Sequence, residues 1–529
     1  MRSSWKLSAP LVALAAALVI ATASFAGTAR NNSSTALLRV ATTAQVTTWS
    51  PIKSASTEVL YLANIYEPLV YANPPGSAKP FRPGLATNWG VSKDKKTWTF
   101  TIRQGVKFHN GEPLTAQSVK DSIEVSKKRG EYGYIWGPVA SITTPNNYTV
   151  VMNLSAPYPM TLVASSEDAA WIVCGEALKA ETADPNYFES GKECGTGPYT
   201  LKSYTPDKQV VLAQNKDYWG GWKDNQFKNV VFQITPEAIV QQQSLQSGEV
   251  DIASSIPVQN YAKLAKNPKF RVTREASSLN YLGFFNTLRP PLDNVLVRRA
   301  LALAIPYKDI LTVGAGGYGT QARSAVPKGI FPYSETTPQV QQNLAKARAL
   351  LAQAGHKGGG FSLDLTYCSC NTAETSFAPL IKDSFKKIGV TVNIKPMLFS
   401  QQWKLAKADP AKAQDIFLLL YWPTYSDAGS DNLVTLFRSS KKPFFNLSYI
   451  KSTIFDKLVD DAGAQFGTDK KAAQATYEKA MVSLHGAAAG FFLYDVDALL
   501  VSSKSVNTTG ALNVNYPFVQ FVYAMTQAG

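Results

Sequence analysis

The chain has 529 residues, 45% of them hydrophobic and 17% charged, a globular composition with apolar mass for more than one core that excludes disorder and collagen. Lys and Arg number 53 against 38 Asp and Glu, a formal net charge of +15. The excess is spread along the chain and gathered in no tail, so no nucleic-acid arm is indicated.

The first 26 residues read as a secretory signal: Arg2 and Lys6 are positive, Leu7 to Ile20 is apolar or small, and Ser24-Phe25-Ala26 offers small residues at a cleavage point. The apolar stretch is short for a span of about 20 residues, so export with cleavage after Ala26 is the expectation. That removes two positive charges and no acidic residue. Cys174 is the first cysteine, far from the cleavage point, so no lipid anchor is expected and the mature protein should be soluble in the periplasm or another extracytoplasmic space. The later apolar run Ala487 to Val501 is broken by Asp495 and Asp497 and is no second membrane segment.

Strand patterns come first. In Thr97 to Ile102, Trp98, Phe100 and Ile102 share one face and three threonines the other. Thr149 to Leu154 repeats this with Val150, Met152 and Leu154, and Val230 to Thr235 is a further β-rich run before Pro236. The four cysteines permit three pairings, of which Cys174 with Cys194, separated by a polar stretch, is the expected bridge. The second half changes period. Leu344, Ala347, Leu351 and Ala354 fall on one helical face that Gly355 ends. Phe361 to Tyr367 alternates, a helix carries Phe377, Leu380, Ile381, Phe385 and Ile388 as far as Gly389, and Val390, Val392 and Ile394 alternate again. Strand, helix and strand in that order make a parallel α/β unit. The length exceeds what one core organises, so two lobes are expected.

The string Gly314-Ala315-Gly316-Gly317-Tyr318-Gly319 matches GxGxxG, but a helical run precedes it and no helix can extend downstream past Pro327, so it reads as a flexible turn and not as a nucleotide site. No nucleophile elbow, HExxH pair or P-loop lysine occurs, and three scattered histidines suit neither a triad nor a metal cluster. His109, before Asn110-Gly111, reads as a turn residue. Cys368 and Cys370, two apart, point the same way on a strand; they are open to a bridge, to the reduced state or to a soft metal. Trp422, Tyr425 and Asp427 follow the apolar strand Ile416 to Tyr421, and the carboxyl end of such a strand is where α/β lobes bind ligands. Two readings stand: an aromatic wall with a carboxylate for a ligand amine, or a buried tryptophan beside a helix-capping aspartate.

Tyr66-Glu67-Pro68-Leu69-Val70, Leu85-Ala86-Thr87-Asn88-Trp89, the run from Trp98 through Gly105-Val106-Lys107-Phe108-His109-Asn110-Gly111-Glu112-Pro113-Leu114-Thr115-Ala116, Gly195-Thr196-Gly197-Pro198-Tyr199, Asn215-Lys216-Asp217-Tyr218-Trp219, Ser247-Gly248-Glu249-Val250-Asp251-Ile252, Phe285-Asn286 and Val297-Arg298-Arg299-Ala300-Leu301 come one after another in order. Together they resemble the family 5 solute-binding proteins of ABC importers, the dipeptide, oligopeptide and nickel type. The resemblance covers nearly the whole mature chain.

It implies an α/β, two-lobed periplasmic-binding-protein-like fold with an extra subdomain in the first lobe. Lobe I is expected at 36–283 plus 497–529, with the inserted subdomain at about 66–194, and lobe II at 284–496. The crossings then fall near Phe284 to Asn286 and Tyr494 to Leu500. The implied role is capture of a short peptide between the lobes and delivery to the ABC permease subunits in the membrane, with no chemistry, no cofactor, no metal and no nucleic acid, as a monomer. In peptide-binding members an aspartate takes the terminal amine; Asp427 is the nearest match in a segment that departs from the family's Asp-Tyr-Pro-Asp-Pro at Thr424 and Ala428. The alternative is the same role for a metal chelate, glycoside or opine-like compound. Trp422, Tyr425, Asp427, Tyr281, Phe285, Asn286 and Trp136 are the expected ligand contacts. A secreted hydrolase has only the two-lobed size in its favour.

Overall fold

The computed structural model describes residues 36–528 apart from 55, 75–76, 168, 424–428, 441–444, 467, 514–515 and 517. The signal segment, Tyr425 and Asp427 therefore lie outside the described residues. Among the described residues no helix is long and apolar enough to cross a membrane.

The strands in chain order are β1 (Leu37–Thr42), β2 (Val70–Ala72), β3 (Phe81–Pro83), β4 (Ala86–Val91), β5 (Thr97–Ile102), β6 (Val139–Asn146), β7 (Thr149–Leu154), β8 (Tyr199–Thr205) and β9 (Gln209–Gln214). They continue with β10 (Asn229–Ile234), β11 (Ile252–Ala253), β12 (Phe270–Phe285), β13 (Gly319–Gln321), β14 (Ser362–Cys368), β15 (Thr391–Met397), β16 (Ile416–Tyr421) and β17 (Gly490–Ser503). Alternation places them as expected: Phe100 and Ile102 of β5 are buried while Thr99 and Thr101 face solvent, and Val150, Met152 and Leu154 of β7 are buried.

A long mixed sheet runs β15-β14-β16-β12-β17-β11-β1-β10-β9-β8, with β13 beside β17. A separate antiparallel sheet, β4-β5-β7-β6, and the hairpin β2-β3 come from the chain between β1 and β8. The α/β unit read from periodicity is present: β14 and β15 pair in parallel with Leu363 opposite Val392 and Leu365 opposite Ile394. The helix between them, Thr372–Lys386, is capped by the Asn371 side chain, which accepts from the N–H groups of Ala373 and Glu374. Gly389 has φ +80°, and a Cβ there would lie 1.8 Å from the Gly358 carbonyl oxygen, so only glycine fits this return. The Gly314 string is different from a free turn. Its first two residues close the helix Tyr307–Ala315, Gly316 ends it at φ +57°, and β13 comes next. Helix before strand is the reverse of a dinucleotide site, and a Cβ at Gly314 would lie 2.6 Å from the Tyr494 hydroxyl oxygen.

The buried apolar side chains form separate cores. One is built from residues between Leu38 and Ile252 together with Ala498 to Met525. Two more are built from residues between Tyr281 and Tyr494. The 16-residue β12 and the 14-residue β17 run through both regions. Phe270–Ala276 pairs with Asp497–Ser503, and Asn280–Phe284 pairs with Gly490–Asp495, with a register shift between Ala276 and Asn280. Beyond the shift, β12 gains β16 as its other neighbour, whereas β11 joins β17 on the near side. The sheet thus changes partners at 276–280 on one strand and at 495–497 on the other.

Several of the collinear motifs meet at one buried node. The Glu67 carboxylate accepts hydrogen bonds from Thr196 Oγ1 at 2.9 Å, Trp219 Nε1 at 2.8 Å and Tyr218 Oη at 3.0 Å. Arg103 stacks over Trp219, 4.0 Å from the ring centroid. His109 is more than a turn residue. Its Nδ1 lies 2.6 Å from Glu193 Oε2 and its Nε2 2.9 Å from the Gly197 carbonyl oxygen, so both ring nitrogens face acceptors. Burial pulls its pKa down, but the Glu193 bond and charge and the Gly197 carbonyl outweigh this and raise it. The ring ties the run from Trp98 to Ala116 to the 193–197 segment. Cys174 and Cys194, beside it, are bonded, with 2.09 Å between the sulfurs.

Candidate ligand-binding site

The parallel strands β14 and β16 end side by side. Trp422 comes directly after β16; it is 36% exposed, and its ring meets that of Phe518 edge-on with centroids 6.4 Å apart. Phe518 packs against the core that holds Leu38 and Ile252, whereas β16 belongs to the cores of residues 281–494. The Trp422 indole therefore bridges the two regions of the molecule.

Tyr281 stands on the neighbouring strand. Its ring packs on Tyr494 at 4.8 Å and on Phe377 at 5.7 Å, and its hydroxyl donates to Asn371 Oδ1 at 3.0 Å. Burial pushes that hydroxyl's pKa up. At the end of β14 Cys368 and Cys370 are bonded to each other. The Cys368 N–H donates to Glu374 Oε2 at 3.1 Å, and burial pushes the Glu374 carboxyl up to about 8 against the bonds from the Cys368 and Leu420 N–H groups. Trp422 at the end of β16 and Tyr281 within β12, opposite Leu420, are thus near neighbours.

The remaining described candidates do not join them. Phe285 is fully buried against Phe491, with centroids 5.1 Å apart. The Asn286 amide donates to the carbonyl oxygens of Pro410 at 2.7 Å and Gln414 at 3.2 Å. Trp136 is buried, and its indole donates to the Ala169 carbonyl oxygen at 2.9 Å. The family resemblance named them, and in the fold their side chains are buried and hold other parts of the chain.

Two cavities lie along the segment that joins β2 and β3. The larger, about 380 Å³, is walled by Phe81, Pro159 and Leu162 on one side and by Ile330, Phe331 and Phe466 on the other. The Phe331 and Phe466 rings stack at 4.6 Å, and the Lys470 ammonium lies 4.7 Å from the Phe331 centroid. Phe466 packs against cores of both regions. The smaller cavity, about 170 Å³, shares Asn73 and Pro74 with the first and is otherwise walled by Arg82, Glu167, Glu275 and Asn513. No motif marked these residues: they come from six stretches of sequence and meet only in the fold.

Asp495 sits where β17 changes partners. Its carboxylate is buried and accepts from Asn280 Nδ2 at 2.6 Å and from the Lys328 N–H at 2.9 Å. Burial pushes the carboxyl up to about 7, with the Asp497 carboxylate adding to the rise and the Lys328 and Asn280 bonds and the Lys328 charge opposing it. Lys328 leads into Gly329, Ile330 and Phe331 of the larger cavity wall. The strand crossing and the cavity are therefore joined through one carboxylate. Among the described residues no group of three or more His, Cys, Asp or Glu side chains is placed to hold a metal ion.

The family model of the bacterial extracellular solute-binding proteins, family 5 (middle region), matches residues 80–443. The chain belongs to this family. The probable D,D-dipeptide-binding periplasmic protein DdpA of Escherichia coli K12 is 29% identical to this family 5 protein over 432 residues, 80% of each chain. Among solved structures, the periplasmic binding protein DppA of Helicobacter pylori in complex with the peptide STSA aligns with a TM-score of 0.79 at 23% identity, over 93% of this chain and 98% of its own. The binding protein AgaA of A. tumefaciens R10 in complex with agropinic acid aligns with a TM-score of 0.78 at 23% identity, over 93% and 100%. This solute-binding protein has the two-lobed fold of the periplasmic binding proteins.

Proposed function

We propose that this family 5 protein is the extracytoplasmic receptor of an ABC importer, holding a short peptide between its lobes and handing it to the permease subunits. The observation that carries the reading is the strand crossing, with Trp422 and two cavities set against it. The hinge is the partner change at 276–280 and 495–497, a few residues before the 283/284 boundary expected from the resemblance, so lobe I is 36–276 plus 497–529, with the inserted subdomain at about 66–194, and lobe II is 280–495. A solute that touches both lobes gains contacts only in the closed form, so its binding shifts the population toward closure, and the closed complex is what docks on the permease. The protein acts as a cleaved, exported monomer and carries out no reaction. The peptide choice is supported by the DdpA relative and by the peptide-bound DppA.

A second reading, an opine-like or other non-peptide solute, is favoured by two observations. The segment after Trp422 departs from the family's acidic motif, and AgaA, bound to agropinic acid, matches the fold as well as DppA does. Native mass spectrometry of the mature protein, purified without denaturation and then denatured to release its ligand, separates them. The expected result is a mixture of short peptides. One non-peptide compound, released stoichiometrically, overturns the peptide choice and leaves the receptor role standing.

A further inference from the structure

We propose that the cavity at Arg82 is a subsite that takes a carboxylate of the bound solute on the Arg82 guanidinium. The proposal rests on the solute-receptor reading and names the chemistry of one end of its ligand.

Arg82 lies on β3, with its guanidinium carbon 4.4 Å from the centroid of the Tyr71 ring. The ring fixes the plane of the fork and supplies no acceptor. Nη1 is buried and has no hydrogen-bond partner, and no carboxylate forms an ion pair with Arg82 among the described residues. A guanidinium offers five N–H donors in a planar fork that matches a carboxylate edge to edge. Leaving one of them buried without an acceptor is costly, and an oxygen pair from a ligand relieves it.

The same cavity is lined by two carboxylates, Glu167 and Glu275. Glu275 is on β12, directly before the partner change at Ala276. Its side chain lines the same cavity, and burial alone, with no cation or donor opposing it, raises its carboxyl. Arg82 and Glu275 are held apart on separate strands and form no pair with each other. A solute that presents a carboxylate to Arg82 and an N–H group to Glu275 satisfies both, which describes the end of a zwitterionic chain. The shared Asn73 and Pro74 lead from this end to the larger cavity for the remainder of the ligand. Because Glu275 adjoins the hinge, filling this subsite also bears on closure.

The test uses the mature protein, an equimolar library of dipeptides and the same library amidated at the C-terminus, with affinities from isothermal titration. Wild type is expected to lose at least tenfold on amidation. Arg82→Gln is expected to lose as much for the free acids and nothing further for the amides, so the two changes are non-additive. Arg82→Lys, which keeps the charge without the fork, is expected to fall between, and thermal melts of both variants check that the fold persists. Binding of the free acids by Arg82→Gln with wild-type affinity, or additive losses, overturns the subsite while leaving the peptide reading intact. Failure of wild type to bind either library overturns the peptide reading, and the terminal-carboxylate assignment falls with it.

Discussion

Glu67→Ala is expected to destabilise the protein by about 3–5 kcal/mol, read as a lower denaturation midpoint in urea. The carboxylate is buried and serves as the acceptor for Thr196, Trp219 and Tyr218 at 2.8–3.0 Å. Alanine removes both acceptor oxygens at once and leaves the Thr196, Trp219 and Tyr218 donors, with the longer Tyr71 contact at 3.5 Å, without an acceptor. Burial raises the Glu67 carboxyl, and the Trp219, Thr196 and Tyr218 bonds pull it back down. A neutral group of the same shape is therefore tolerated. Glu67→Gln keeps an oxygen for Thr196 and Trp219 and turns its NH₂ toward the Tyr218 hydroxyl, which can accept, so its expected loss is within about 1 kcal/mol. Equal losses in the two variants would mean that the charge, not the acceptor geometry, holds the node together.

Asp495→Asn is expected to change how stability depends on pH. In the unfolded chain the group titrates near 3.9; in the fold burial pushes it up to about 7. Between these values the folded state holds a proton that the unfolded state has released, so stability falls as pH rises from 4 to 7 and is level above. The drop from this one group is about 4 kcal/mol. Asparagine has no proton to lose. Relative to wild type, Asp495→Asn should gain stability steadily across that window and show its full advantage at pH 8. The neutral side chain also has a role ready for it. The Asn280 Oδ1 is buried without a hydrogen-bond partner, and a donor at position 495 meets it once the Asn280 amide turns over. The groups facing this carboxyl are Asn280 on β12, Thr320 on β13, Lys328 just before the cavity wall and Asp497 further along β17, which is itself paired to Arg274 at 2.5 Å. Urea melts from pH 5 to pH 8 decide it: a difference between variant and wild type that is the same at every pH would show that Asp495 does not titrate in that range.

Much of the fold was legible because period and punctuation agree in this sequence. The alternation in β5 and β7, the parallel unit of β14, its helix and β15, and the stop at Gly389 all depend on residues within a few positions of one another. The strand crossing was harder to see. Ser277, Ser278 and Leu279 are buried at the register shift, yet two serines in sequence look like the start of a loop, and only the pairing of β17 reveals a continuous strand. The motif run was recognised as a pattern without its physical meaning: Glu67, His109, Thr196, Tyr218 and Trp219 are far apart in the chain and converge on one buried polar node. That node ties together segments of the core that holds Leu38 and Ile252.

The candidate site divides along the same line. Trp422 was named because the carboxyl end of a β-strand is a local signal, and Tyr281 from the family resemblance; in the fold Tyr281 pairs opposite Leu420, near that end. Phe285, Asn286 and Trp136 were named from the family resemblance; an aromatic or amide near a hinge can face either way, and here each is buried and bonded or packed within the core. Arg82, Glu275, Phe331 and Phe466 carried no signal at all. Their importance is tertiary: an orphaned guanidinium nitrogen and a ring stack exist only once β3, β12 and the helix Thr453–Phe466 are placed.

Hydrogen–deuterium exchange of the mature protein, stripped of ligand and then reloaded with the solute released from it, tests the central claim most directly: that a solute is gripped between the lobes beside the strand crossing. The prediction is new protection at 276–280, 327–331, 421–423 and 510–521, with 139–154 in the outer sheet unchanged. Protection confined to one lobe, or none at the crossing, would contradict it.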